Sequence, residues 1–167
     1  MNIKKHIPNA LTCGNLLSGC IGIVYAFNSE LKMVAFFVLI SGVLDFFDGF
    51  AARLLNVKSE IGKELDSLAD VISFGFLPGV LIFQMLQNLQ FGNWSYIGFL
   101  ITIFSALRLA KFNIDTRQTQ DFIGLNTPTN TFFIISLPWL IEDYPVINNE
   151  YLFLAITLIT SYLLISE

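Results

Sequence analysis

Residues 45–70 read DFFDGFAARLLNVKSEIGKELDSLAD, with aspartates at positions 45, 48, 66 and 70. Asp45, Asp48 and the stretch beyond Asp70 sit among residues that otherwise read as membrane-embedded helix. A carboxylate there is costly, on the order of 2.5–3.5 kcal/mol at a helix centre on insertion scales. Four of them close together would also repel one another. Shared divalent cations are the economical explanation, and the rest of the chain is best read outward from that idea.

The surroundings are strongly apolar. Of 167 residues, 54% are hydrophobic and 13% charged, with 17 phenylalanines, and the mean hydropathy is +0.67. This composition excludes an ordinary soluble domain and fits an all-α, polytopic membrane protein. The net charge of −4 leaves no electrostatic footprint for nucleic acid. Cys13 and Cys20 are seven apart in an apolar segment, which fits no zinc pattern. They are expected to be buried free thiols, since seven helical residues would separate them by about 10 Å, too far for a disulfide. His6 flanks the first apolar run and reads as a headgroup-region residue. That run is long for a signal peptide and no small-residue cleavage site follows it, so a retained helix is expected.

Six helices are expected. The first runs from Asn9 to Phe27 and the second from Leu31 to about Leu55. A polar connection, Asn56 to Lys63, leads into a third ending near Gln87. Residues 71–107 carry no charge, too long for one span of about 20 residues. The break falls at Asn88–Asn93, a polar turn containing Gly92. Trp94 and Tyr96 follow as interfacial aromatics, and a fourth helix runs from Trp94 to Lys111. A polar loop from Asn113 to Asn130 precedes a short fifth helix, Thr129 to Ile141, that contains Pro138. After the acidic loop Glu142 to Glu150, the sixth runs from Tyr151 to Ser166. Lys4, Lys5, Arg53, Lys58, Lys63, Arg108, Lys111 and Arg117 fall on one side and Lys32 on the other. The positive-inside rule therefore puts the N-terminus and the aspartate stretch at the cytoplasmic face of a cell (inner) membrane. No repeat divides residues 1–167, which read as a single membrane domain.

Asp45 and Asp48, at i and i+3, share a helical face; Asp66 and Asp70, at i and i+4, share one on the next helix. An antiparallel pair joined by a short loop can bring these faces together. Gly49, Ala52 and Gly62 leave room for a ligand, and Arg53 offers a fixed positive charge suited to phosphate. Oxygen ligands without His or Cys favour Mg²⁺, Mn²⁺ or Ca²⁺. Two such ions can clamp a phosphoryl displacement, and Asp70, at the end of the set, is the candidate general base. Plainer readings exist for single residues. Asp66 could be a solvated acid near a helix start, and Asp45 could pair with Arg53 or Arg108. The pattern D-x2-D-G-x2-A-R-x8-G-x3-D-x3-D as a whole is far more specific than any one residue in it.

That pattern resembles the signature of the CDP-alcohol phosphotransferase family at every signature position. The resemblance implies a six-helix membrane core that moves a phosphoalcohol group from a CDP-linked donor to a hydroxyl, releasing CMP. It implies Asp45, Asp48 and Asp66 as ligands of one divalent ion (Mg²⁺ or Mn²⁺), Asp45, Asp66 and Asp70 around a second, and Asp70 as proton acceptor. Gly49, Arg53 and Ser59 would contact the donor. Three further stretches, IPNALTCGNLLSG (Ile7 to Gly19), RLAKFN (Arg108 to Asn113) and FIGLNTPTN (Phe122 to Asn130), look like the membrane-embedded, serine-using branch of that family. This implies CDP-diacylglycerol and L-serine as substrates. Lys111 departs from that branch, which usually carries Arg there, and loses bidentate geometry. Many members also continue into further helices beyond the point where this chain stops, at Glu167; the catalytic core is expected within these residues.

Arg108 and Lys111, at i and i+3, could meet donor phosphates or an acceptor carboxylate, or serve as positive-inside anchors. Asn113, Asn126 and Asn130 could bind an acceptor or cap turns. Thr12 and Asn15 could line the nucleotide pocket or pack helices. The same chemistry on glycerol 3-phosphate or an inositol phosphate is the sibling alternative. A divalent-cation transporter is the alternative from another class, since intramembrane acids also mark ion pathways. Pairing into a homodimer through the helices is compatible with the sequence, although no small-residue motif specifies it.

Overall fold

The computed structural model describes residues 6–57, 59–114 and 124–166. Lys4, Lys5, Lys58 and Arg117, which carry part of the orientation argument, lie outside them, as do Phe122 and Glu167. The elements run α1 (His6–Phe27), α2 (Leu31–Leu54), α3 (Glu60–Asp70), a π-helical stretch (Val71–Phe76), α4 (Leu77–Asn88), a 3₁₀ stretch (Gly92–Phe99), α5 (Leu100–Ile114), α6 (Thr127–Asp143), a short 3₁₀ turn (Pro145–Ile147) and α7 (Glu150–Ile165). α3, the π stretch and α4 form one rod, Glu60–Asn88, and the 3₁₀ stretch Gly92–Phe99 with α5 forms another, Gly92–Ile114. Six helical rods result among the described residues. Four are long and apolar enough to cross a membrane; α6 and α7, with 17 and 16 residues, sit at the short edge of spanning length.

Turn chemistry sets the rod ends. Ser59 caps α3, its hydroxyl accepting the Gly62 N–H at 3.0 Å. Asn126 caps α6 through the Thr129 N–H at 2.8 Å, and Asn149 caps α7 through Tyr151 at 2.9 Å. Such caps satisfy helix N–H groups that have no intrahelical partner. Gln90 and Gly92, at φ 60° and 61°, are the left-handed residues of the turn that reverses the chain after α4, and at Gly92 glycine takes that conformation without steric cost.

The rod Glu60–Asn88 is the centre of the fold: 67% of its most apolar window is buried, against 22–33% for the other three spanning helices. Its α4 half carries much of the apolar core, with Leu77, Val80, Leu81, Ile82 and Leu86 packed against Val34, Val38, Ile101, Ile134 and Phe153. The outer helices face outward with apolar side chains: Leu17, Val24, Phe36, Leu39, Val43, Phe46 and Ile159 are all more than half exposed. In water this would be an aggregating surface; in a bilayer it is the lipid contact. Cys13 and Cys20 are free, as expected, but exposed, not buried. They lie on the outward side of α1, whose inward side carries Thr12, Asn15, Ser18, Gly19 and Gly22.

The α5 rod runs antiparallel to the central rod in one continuous register. Asn113 Nδ2 donates to Ser67 Oγ at 2.9 Å, and Lys63 Nζ donates to the Asn113 carbonyl at 2.6 Å. Farther along, Thr102 Oγ1 donates to the Gly75 carbonyl at 3.1 Å. At the far end a methyl on Gly98 would lie 2.8 Å from the Phe83 nitrogen and 2.9 Å from the Gly79 carbonyl. Backbones can approach this closely only where side chains are small, a packing rule of membrane helices.

Candidate active site

The site forms where α1, α2 and α3 meet near the α2–α3 connection. Asp45 and Asp48 turn inward from α2, while their neighbours Phe46, Phe47 and Phe50 point outward, 62%, 48% and 46% exposed. Asp66 and Asp70 project from α3 to meet them. Asp48 and Asp70 are buried and Asp45 and Asp66 half-buried. One oxygen each from Asp45, Asp48 and Asp66 lies within 4.8 Å of the others. The Asp45 carboxyl also lies close to those of Asp66 and Asp70. The spacing had implied this convergence, and the fold produces it. Asp45 faces the other acids, not Arg53 or Arg108 as an ion-pair partner.

α1 closes the site from the side. Thr12 Oγ1 donates to Asp48 Oδ2 at 2.6 Å, and Asn15 Nδ2 donates to Asp70 Oδ1 at 3.3 Å. The Asn15 carbonyl in turn accepts from Ser41 Oγ at 3.3 Å and Ser73 Oγ at 3.1 Å. Ser73 belongs to the π stretch directly after Asp70. Gly19 brings α1 against it, since a methyl at Gly19 would collide with Ser73, its Cα at 2.9 Å included. Thr131 Oγ1 on α6 reaches the Phe74 carbonyl at 2.9 Å. A π bulge loosens the i→i+4 ladder, a feature frequent at functional sites; here it lies between α1, α5 and α6.

Beside the acids opens a cavity of about 500 Å³, lined by Pro8, Asn9, Thr12, Asp48, Gly49, Ala52, Val57, Ser59, Glu60, Gly62, Lys63 and Asp66. That is the size range of small-molecule sites. Gly49 has open space where a Cβ would be, whereas a methyl at Gly62 would lie 2.8 Å from Ser59 Oγ and 3.1 Å from Asn9 Oδ1. Gly49 therefore leaves room for a ligand, and Gly62 leaves room for its own cap and for α1. Ala52 and Ser59 line the cavity as well. Arg53 is exposed at the end of α2 and outside this lining.

Arg108 and Lys111, adjacent by spacing, separate. Lys111 is exposed. Arg108 is buried and interacts electrostatically with Asp70. Asn113 is committed to Ser67 and Asn126 to its helix cap. Asn130 is fully buried, and neither its Oδ1 nor its Nδ2 has a partner among the described residues. Pro8, Asn9 and Lys63 were not among the residues singled out for the cavity. Ser41 and Ser73, which bond the Asn15 carbonyl, carry no such signal in the sequence, because small polar residues inside apolar helix cannot be separated there from helix packing.

The fold and the site together define a helical membrane protein with a cluster of acids at the end of two adjacent helices. Three of those acids, all-oxygen donors converging beside an unfilled Gly49, could hold a hard divalent cation. Comparison with known proteins is consistent with this geometry. Residues 5–163 match the CDP-alcohol phosphatidyltransferase family, and the chain belongs to that family. It is 36% identical over 165 residues to a CDP-diacylglycerol–serine O-phosphatidyltransferase of Helicobacter pylori, covering 96% of this chain and 69% of the relative. It is 38% identical over 129 residues to the Bacillus subtilis enzyme of that name, covering 74% and 70%. To the archaetidylserine synthase of Methanothermobacter thermautotrophicus it is 30% identical over 167 residues, covering 95% and 70%.

Proposed function

We propose that this protein transfers the phosphatidyl group of CDP-diacylglycerol to the hydroxyl of L-serine, giving phosphatidylserine and CMP in phospholipid biosynthesis. The observation that carries the reading is the convergence of Asp45, Asp48, Asp66 and Asp70 beside a cavity with an open Gly49 wall. The names of its bacterial and archaeal relatives differ in the lipid and agree on serine, which supports serine over glycerol 3-phosphate or an inositol phosphate. An ion pathway would distribute acids across the membrane depth, whereas all four gather near one end of the helices.

In this reading Asp45, Asp48 and Asp66 would hold one divalent ion, and Asp45, Asp66 and Asp70 would hold a second if one binds. Bound Mg²⁺ or Mn²⁺ would neutralise the donor pyrophosphate and the charge developing on departing CMP. Gly49 and Ala52 let the donor approach the α2 backbone, Ser59 and Gly62 shape the opposite wall, and Arg53, exposed at the end of α2, offers a cation for phosphate. Thr12 holds Asp48, and Asn15 holds Asp70. Asp70 takes the proton of the serine hydroxyl as its oxygen bonds to the lipid-bearing phosphorus. The bond from that phosphorus to CMP breaks, and the electron pair leaves on CMP. The site opens to the cytoplasmic side of the inner membrane, with the N-terminus on the same side, where soluble serine and metal arrive.

The test uses purified protein in lipid nanodiscs with Mn²⁺, CDP-diacylglycerol and L-serine. CMP and phosphatidylserine should appear together. Asp70→Asn should abolish turnover while still binding CDP-diacylglycerol. Full activity of that variant would refute the base assignment, and CMP release with glycerol 3-phosphate alone would refute serine.

A further inference from the structure

A second cavity, of about 260 Å³, lies at the other end of the bundle. Three rods measure the separation. Along α1 it is fourteen residues from Thr12, which bonds Asp48, to Ala26 in the cavity wall. It is fourteen again from Asp45 to Leu31 on α2, and from Asp70 to Gln84 on the central rod. Each step is about 21 Å of helix, most of the apolar thickness of a bilayer. The cavity therefore opens on the membrane face opposite the acids. Trp94 and Tyr96, 72% and 60% exposed just beyond the turn after Asn88, mark that level as the headgroup region.

The lining is apolar below and polar above. Leu81 and Met85 are buried at its base, and Ser29, Asn88, Glu142 and Asn148 are exposed at its rim, with Gln84 half-buried between them. None of these five polar side chains bonds or ion-pairs with another group among the described residues. Gln84 carries the most weight, because it sits on the most enclosed rod, beside buried Met85. A shielded amide without a partner costs free energy until a ligand or water bonds it. Glu142 is the one charged group in the lining. It stands in the last turn of α6, the negative end of the helix dipole, where a carboxylate is disfavoured until a cation offsets it. Around it this end carries Glu30, Asp143 and Glu150 against Lys32 alone.

These groups select among ligands. A carboxylate and amide oxygens accept from a cation that has N–H donors and repel an anion. A quaternary ammonium has no N–H and is held by aromatic faces, and the lining has none. The amide N–H groups of Gln84, Asn88 and Asn148 can donate to a phosphate beside the ammonium. The volume is under the roughly 300–1,000 Å³ of a site for a whole drug-sized molecule. It has room for a headgroup whose chains stay outside, along the exposed apolar surface.

We infer that this cavity is a lipid site for a phospholipid whose headgroup ends in a primary ammonium. Glu142 and the Gln84 carbonyl oxygen take the ammonium. An occupant joins the α1–α2 turn, the end of α4 and the end of α6 at a face the acid row does not reach. The inference is independent of which acceptor the enzyme uses.

The test is native mass spectrometry of the purified protein with phosphatidylethanolamine and phosphatidylcholine of identical chains in competition. Phosphatidylglycerol serves as the anionic control. Phosphatidylethanolamine should be retained roughly 10-fold over phosphatidylcholine, the scale of one charge-assisted hydrogen bond. Glu142→Gln, which keeps the shape and loses the charge, should bring that ratio to within about twofold. Gln84→Leu should lower it in the same direction. Phosphatidylethanolamine should also raise the wild-type melting temperature in phosphatidylcholine nanodiscs by roughly 2–4 °C, and leave Glu142→Gln unmoved. Glu142 is exposed, so its variant should melt with the wild type in phosphatidylcholine alone, which establishes that it is folded.

Equal retention of the two zwitterionic lipids by the wild-type protein would overturn the inference. So would stronger retention of phosphatidylglycerol than of phosphatidylethanolamine. A preference for phosphatidylethanolamine that survives in both variants would place the lipid elsewhere on the apolar surface and overturn it too.

Discussion

The 2.6 Å hydrogen bond from Thr12 to Asp48 is the shortest support any of the four acids receives from a neutral side chain. A hydroxyl has one proton to place, and giving it to Asp48 leaves the Pro8 carbonyl, 3.1 Å away, without it. A hydrogen bond to a charged group is worth about 1.5–3 kcal/mol, and outer partners of a metal ligand typically set about 10–100-fold of metal affinity. Thr12→Val should therefore weaken Mn²⁺ binding about 10-fold by calorimetry with little change in melting temperature; unchanged Mn²⁺ affinity would show that Asp48 needs no such support. From sequence alone Thr12 and Asn15 could line a nucleotide pocket or pack helices. Which acid each would meet depended on helix rotation, which spacing within α1 cannot supply. The same holds for Arg108 and Lys111. Their i, i+3 spacing suggested joint action, yet one is buried against Asp70 and the other exposed.

At the scale of elements, glycines separate two jobs. Gly98 lets the α5 rod touch the backbone of the central rod, so Gly98→Ala must push the two apart. Overpacking of this kind costs about 1–3 kcal/mol, and the variant should melt at lower temperature. Gly49 has open space instead, so Gly49→Leu should keep its melting temperature and lose CDP-diacylglycerol affinity as the side chain fills the cavity. The opposite pattern, with Gly49→Leu unstable and Gly98→Ala merely inactive, would exchange the two assignments. The π stretch Val71–Phe76 had no sequence signal. VISFGF reads as ordinary apolar helix, and the bulge belongs to its neighbours: Ser73 is drawn to the Asn15 carbonyl, Phe74 to Thr131, Gly75 to Thr102. The helix ends were more legible, because Ser59, Asn126 and Asn149 act locally on N–H groups two or three residues away. The short lengths of α6 and α7 were legible as well, because polar residues bound each of them in the sequence.

At the scale of the molecule, an inside-out distribution of polarity joins stability to function. Apolar side chains face outward and a row of acids is held at the core of three helices. Confining like charges this way strains the fold until a cation neutralises them. Mn²⁺ or Mg²⁺ should therefore raise the melting temperature, with chelator reversing the shift. At a concentration 100 times the dissociation constant the gain is about 2.7 kcal/mol. A melting temperature indifferent to both ions, in a protein that binds CDP-diacylglycerol, would remove the metal from the acid cluster.

The sequence by itself determined the membrane class, the helical rods and the acid row. Each follows from patterns within one segment: apolar length, polar turn residues, and i, i+3 or i, i+4 spacing that puts two carboxylates on one face. Only the tertiary structure decided what surrounds that row. Thr12 and Asn15 come from 36 and 55 residues away in the chain to Asp48 and Asp70, and Arg108 arrives from α5. Those meetings depend on how rods rotate and slide against one another. That is settled by close packing at Gly19, Gly75 and Gly98, where a single methyl group would change the register.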